Sequence, residues 1–150
     1  MKKIGTYTAR GNIATESASP AKIILFDGSF KTGYRVVSFA VAGQGMGDAN
    51  SDVIAAKLTT NATPGAQGPD WHWEDNSEIA WAFFQYELPG SGEPQSNYEK
   101  VDPDNMVVED LYIWTNTRSE GHINYMIELE KYEITDWQGA LGMVRNKSQG

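Results

Sequence analysis

Residues 123–130, with the sequence INYMIELE, alternate apolar and polar or flexible side chains along one segment. The apolar positions are Ile123, Tyr125, Ile127 and Leu129. Because successive side chains of a strand point to opposite faces, this pattern predicts a long β-strand with one buried and one solvent-facing side. A sheet with one wet face is typical of antiparallel architectures.

Immediately after this strand the apolar period changes to that of an α-helix. Thr135 and Gln138 stand at capping-box spacing. An apolar stripe follows at i, i+3, i+4 and i+7, formed by Trp137, Ala140, Leu141 and Val144. We therefore expect a helix over about residues 135–146. Two glycines weaken it, so its stripe is expected to pack on its own sheet or on a neighbouring subunit.

Short apolar runs separated by turn-forming residues predict further strands upstream. Residues 22–26 and 34–42 flank a Gly-containing turn and are predicted to form a hairpin. In the second run, one face is expected to carry Val37, Phe39 and Val41. Residues 53–58 and 78–86 are predicted as two more strands.

Two long segments, residues 61–77 and 89–105, are rich in glycine and proline and are predicted as loops. Loops of this length are uncommon in a compact domain unless they serve a function. The predicted elements together indicate a mainly β protein, a β-sandwich or jelly-roll-like antiparallel architecture with one short C-terminal helix. We expect a single domain over residues 1–150.

The composition excludes several classes of protein. The 150 residues carry 12 Lys and Arg against 20 Asp and Glu, a net charge of −8, which repels a phosphate backbone. We therefore expect no direct nucleic-acid partner. The absence of cysteine excludes disulfides and thiolate metal sites. No apolar run is long enough for a membrane-spanning helix, and none follows Lys3 as a signal peptide requires, so we expect no membrane partner.

No recognised catalytic or metal-binding motif occurs in the sequence. His72 and His122 are far apart and lack the paired spacing of zinc sites. The glycines of residues 43–47 have no lysine or helix pattern after them, so a flexible loop is the better interpretation than a phosphate loop. Residues 102–105 depart from the calcium-loop template and are predicted as a turn. We expect no enzymatic activity, no cofactor and no metal.

The tryptophans are the remaining candidates for a functional site. Trp71 and Trp73 lie in the loop predicted at residues 61–77. Three interpretations stay open: they close the core, they anchor a protein interface, or they form a flat platform for a sugar ring. Trp81 lies in the strand predicted at residues 78–86, and Trp114 ends a further β-like segment, residues 106–114, so both are expected in the core.

Several segments resemble small, largely uncharacterised proteins of marine bacteriophages. The clearest are INYMIELEKY (residues 123–132) and TDWQGAL (residues 135–141). Shorter similar segments are LFDG (25–28), GYRVV (33–37), IAWA (79–82) and VEDLY (108–112). The resemblance spans most of the chain but offers no catalytic residue to transfer.

The resemblance implies a virion protein assembled in the host cytoplasm, a capsid decoration or cement subunit that binds other virion proteins, above all the major capsid protein. A homo-oligomer is also implied. A head–tail or tail component, or a carbohydrate-binding module for host adhesion, is the alternative. The expected assembly interface consists of Trp71, Trp73, Trp137, Leu141 and Val144.

Overall fold

The computed structural model describes residues 2–14, 20–28, 31–44, 52–61, 70–86, 96–117 and 121–134. Every regular element in these ranges is a strand: β1 (Lys2–Ala14), β2 (Ala21–Ile23), β3 (Thr32–Gly43), β4 (Asp52–Thr59), β5 (Glu78–Tyr86), β6 (Ser96–Val101), β7 (Leu111–Thr117) and β8 (His122–Glu133). The helix predicted over residues 135–146 lies outside the described residues. Within them, no helix is long and apolar enough to cross a membrane.

The strands form two antiparallel sheets, one of three strands in the order β1-β8-β3 and one of five in the order β2-β7-β4-β5-β6. A jelly roll places strand 1 beside 8, 2 beside 7, 3 beside 6 and 4 beside 5. Three of these four pairings are present, and β6 pairs with β5 instead of β3. The predicted mainly β, jelly-roll-like antiparallel architecture is therefore confirmed.

The core lies between the two sheets. The three-stranded sheet contributes Phe39, Ile127 and Leu129, all almost fully buried. The facing side of the other sheet contributes Leu58 and Ile113. The alternation predicted for residues 123–130 is confirmed, since β8 buries its isoleucines and leucine while the polar residues between them face outward.

The hairpin predicted between residues 22–26 and 34–42 is wrong. β2 pairs with β7 in the five-stranded sheet, whereas β3 pairs with β8 in the other. The chain therefore passes from one sheet to the other between β2 and β3. The predicted face of β3 is also partly wrong, because a β-bulge between Val36 and Ser38 turns Val37 outward and places Val36 in the core.

The edge of β3 that a jelly roll pairs with strand 6 is closed by residues after β6. Tyr34 and Val107 exchange two backbone hydrogen bonds of 2.7 Å. The buried amide of Asn105 accepts from the Val36 N–H at 2.8 Å and donates to the Val36 carbonyl at 2.9 Å. The Asn105 side chain thus makes the two hydrogen bonds that the backbone of a neighbouring strand would make. The turn predicted at residues 102–105 is confirmed, since the Asn105 N–H donates back to the Asp102 carbonyl.

Candidate functional site

The outer face of the five-stranded sheet carries two neighbouring rows of cross-strand side chains. The first, here the ion-pair row, consists of Trp114, Lys57, Trp81 and Lys100. The second, here the groove row, consists of Asn116, Ala55, Phe83 and Tyr98. The loop of residues 70–77 lies over the ion-pair row and brings Trp71 and Trp73 to this face.

A fully buried ion pair lies beneath this loop. Lys57 Nζ is 2.7 Å from Glu78 Oε2, and neither side chain has any solvent exposure. The same ammonium donates to the Asp70 carbonyl and lies 6.0 Å from the centre of the Trp114 ring. Removing two charges from water costs several kcal/mol per ion, so the arrangement requires all of these contacts.

Glu78 joins the ion pair to the loop. Its Oε1 accepts from the His72 backbone N–H at 2.7 Å and from Trp81 Nε1 at 3.0 Å. Lys57 reaches the loop at the Asp70 carbonyl, so the two charged groups together attach the three-residue segment 70–72 to the sheet. The pair therefore determines where the two loop tryptophans lie.

The rest of the loop is closed by its own hydrogen bonds. Asp75 Oδ1 accepts from the backbone N–H and the hydroxyl of Ser77, at 2.9 and 2.8 Å. The Asp75 N–H donates to the His72 carbonyl at 3.0 Å. Turns in which a side chain replaces a backbone acceptor are typical of aspartate. The loop enters β5 through the Glu78 N–H, which donates to the Asp75 carbonyl.

The two predicted interface tryptophans of this loop differ in exposure. Trp73 is 59% exposed, and its ring centre lies 5.7 Å from that of Trp81. Trp71 is half-buried, with its ring centre 6.2 Å from that of Tyr98. Both lie on the outer face and not between the sheets, so the interpretation that they close the core is wrong. The other predicted interface residues, Trp137, Leu141 and Val144, lie outside the described residues.

Of the two strand tryptophans predicted for the core, Trp81 is buried as expected, but neither belongs to the cluster between the sheets. Trp81 is buried and Trp114 half-buried, and both project from the outer face while the alternate residues Ala80 and Ile113 enter the core. All four tryptophans within the described residues therefore lie on one sheet face. Sequence reasoning also missed Lys57, although a lysine inside the apolar strand Val53–Leu58 is a signal for a buried charge that needs a partner.

An open groove lies over the Asn116, Ala55 and Phe83 part of the groove row. A hollow of about 230 Å³ is lined by Ala55, Asp70, Trp71, Phe83 and Asn116. It continues into a second hollow of about 270 Å³, which shares Ala55 and Asn116 and adds Val53 and Thr117. The small side chain at position 55 leaves a depression between its larger neighbours. Within the described residues, the buried indole N–H of Trp71 has no hydrogen-bond partner.

A separate polar cleft of about 190 Å³ lies near the start of β7, lined by Phe26, Thr60, Glu109, Asp110 and Tyr112. Burial alone raises the pKa of Asp110, but the N–H groups of Phe26 and Leu25 and the Lys22 ammonium outweigh it, so the pKa is lowered. The N–H groups of Leu25 and Phe26 lie 2.8 and 3.0 Å, respectively, from Asp110 Oδ1. This carboxylate holds the segment after β2 in place.

The two histidines are associated with different sheets, His72 in the loop over the five-stranded sheet and His122 in β8. His72 Nδ1 is 3.1 Å from the Asp70 carbonyl oxygen and 3.6 Å from Glu78 Oε2. His122 Nδ1 is 3.0 Å from Asn12 Oδ1, on the three-stranded sheet. In the described part of the chain, no group of three or more His, Asp or Glu side chains is placed to hold a metal ion.

No protein-family model matches the chain, and no curated protein matches it. Among solved structures, the chain is similar to VP1 of Trichodysplasia spinulosa-associated polyomavirus, with a TM-score of 0.39 and 9% identity, over 90% of this chain and 99% of that one. VP1 of the same virus in complex with 6'-sialyllactose gives a TM-score of 0.35 and 7% identity, over 90% and 100% of the two chains. Similarity at this level defines no family and assigns no role to any residue.

Proposed function

We propose that the chain is a structural component of a bacteriophage particle, a capsid decoration or cement subunit. It contacts the major capsid protein and other copies of itself, and it joins the virion during assembly in the host cytoplasm. The sequence resemblance to phage proteins supports this proposal. The strand pairing also supports it, because the jelly roll is an architecture of viral capsid domains. A fold hosts many functions, so a contact surface is identified from the residues of the site itself.

The observation that carries the proposal is the presentation of Trp73. This ring is 59% exposed on a loop that the Lys57–Glu78 pair attaches to the sheet. An exposed tryptophan on a preorganised loop loses little conformational entropy on binding and buries a large apolar area. These are the properties of an interface anchor.

Incorporation into particles tests this proposal directly. We expect mass spectrometry of purified phage particles to find the wild-type protein, and Trp73→Ala to reduce its incorporation because a hot-spot tryptophan contributes about 2 kcal/mol or more to binding. Ile24→Ala is the matched control, since Ile24 is 74% exposed but lies elsewhere. The control is expected to incorporate normally.

Two results contradict the proposal. The protein is not a particle component if it is absent from purified particles. Trp73 is not its anchor if both variants incorporate equally well. The copy number relative to the major capsid protein separates a decoration subunit, present in many copies, from a head–tail or tail component, present in few.

A further inference from the structure

We propose that the groove row forms a binding site for a neutral saccharide, separate from the exposed Trp73 surface. The site consists of the floor residues Ala55 and Phe83, with Asn116 at one end and Trp71 and Asp70 along the side. This inference does not depend on the protein being part of a particle.

The groove has the dimensions of a short oligosaccharide site. The hollow spans the part of the row formed by Asn116, Ala55 and Phe83, on three adjacent strands. Since neighbouring strands lie about 4.8 Å apart, this part is roughly 10 Å long. The hollow is open to solvent along this length. Such a trough admits one or two sugar rings lying flat on the sheet.

The chemistry of the lining also fits sugars. Phe83 and Trp71 offer aromatic surface for the C–H faces of a pyranose ring, and the Trp71 ring packs against that of Tyr98. The Asn116 amide is exposed, and within the described residues neither it nor the Asp70 carboxylate takes part in a hydrogen bond. An apolar floor with a few convergent polar groups is typical of small-ligand sites, and planar amide and carboxylate groups match the hydroxyls of a sugar.

Other ligand classes fit less well. A peptide recognised through its backbone needs an unpaired strand edge, but β4 and β5, which supply the floor residues Ala55 and Phe83, each have a neighbour on both sides. A nucleic acid or an acidic sugar is disfavoured by the Asp70 carboxylate beside the groove and by the net charge of −8. A neutral saccharide needs no unpaired strand edge and carries no charge for Asp70 to repel.

The test is a glycan array that carries neutral and sialylated oligosaccharides, probed with the full chain and followed by calorimetric titration of the neutral glycans that bind. Ala55→Phe fills the hollow and is expected to abolish binding. Asn116→Ala is expected to weaken binding roughly five- to tenfold, the effect of one lost hydrogen bond. Ala40→Phe is the matched control, because Ala40 is a strand alanine on the outer face of the other sheet.

Circular dichroism establishes that each variant is folded, and Asn116→Ala provides a milder variant if Ala55→Phe does not fold. The proposal is overturned if no neutral glycan binds, if only sialylated glycans bind, or if folded groove variants bind as well as Ala40→Phe. Loss of glycan binding with normal particle incorporation separates this site from the Trp73 surface.

Discussion

At the residue scale, the buried charges Lys57 and Glu78 determine the position of the loop that carries Trp71 and Trp73. Removing one partner leaves the other charge buried and unpaired. We expect Lys57→Met to lower the free energy of unfolding by about 3–5 kcal/mol, measured by urea denaturation. Lys100→Met is the matched control in the same cross-strand row, and it is expected to change stability little because Lys100 is exposed.

The double variant Lys57→Met with Glu78→Gln tests whether the loss comes from the unpaired charge. The Gln side chain keeps an oxygen that accepts from the His72 N–H, and no charge remains in the site. We expect the double variant to recover about half or more of the lost stability, since replacing a whole buried pair often costs little. If the double variant is less stable than Lys57→Met, the stability lost in Lys57→Met does not come from the unpaired charge of Glu78.

Sequence patterns identified Trp71 and Trp73 as candidates, but they did not reveal the contacts that position them. Glu78 was recognised only as the first residue of a strand. Its partner Lys57 is 21 positions away and becomes a neighbour only when β4 and β5 pair. A pattern of local spacing contains no information on such a contact. The groove is hidden from sequence for the same reason, because its residues come from three strands and a loop.

At the scale of elements, strands that bury many apolar side chains were predictable and polar edge strands were not. β5 and β8 were predicted because each buries several apolar side chains. β6, with the sequence SNYEKV, was assigned to a loop because all but the last of its residues are exposed. The predicted hairpin failed because adjacent apolar runs do not specify their partner strands. In this fold, β2 and β3 pair with strands near the end of the chain.

Asn105 offers a test of how the edge of β3 is closed. Asn105→Ala leaves the buried N–H and carbonyl of Val36 without the partners that the amide provides. We expect a loss of about 2–4 kcal/mol in the free energy of unfolding, because each unpaired buried group costs about 1–3 kcal/mol. Asn97→Ala on the exposed strand β6 is the control, with little change expected. Equal stability of the two variants would mean that the edge is closed without this amide.

At the scale of the whole molecule, the two sheets share one core, and each depends on the other to bury its inner face. Phe39 and Ile127 of the three-stranded sheet pack in the same cluster as Leu58 and Ile113 of the five-stranded sheet. Neither sheet has a second apolar cluster of comparable size within the described ranges, because the aromatic layer outside the five-stranded sheet surrounds a charged pair. The sheets are therefore expected to unfold together.

The positions of the tryptophans make this expectation measurable. All four described tryptophans lie on the five-stranded sheet, so their fluorescence reports on that sheet, whereas far-ultraviolet circular dichroism reports on both. In a Trp137→Phe background, which removes the remaining tryptophan, we expect the two denaturation curves to coincide as a single transition. Phe39 lies on the three-stranded sheet, whose described strands contain no tryptophan. We expect Phe39→Ala to lower the free energy of unfolding by about 3–5 kcal/mol and to move the midpoints of both curves equally. A fluorescence midpoint that stays in place while the dichroism midpoint moves would mean that the sheets are independent units.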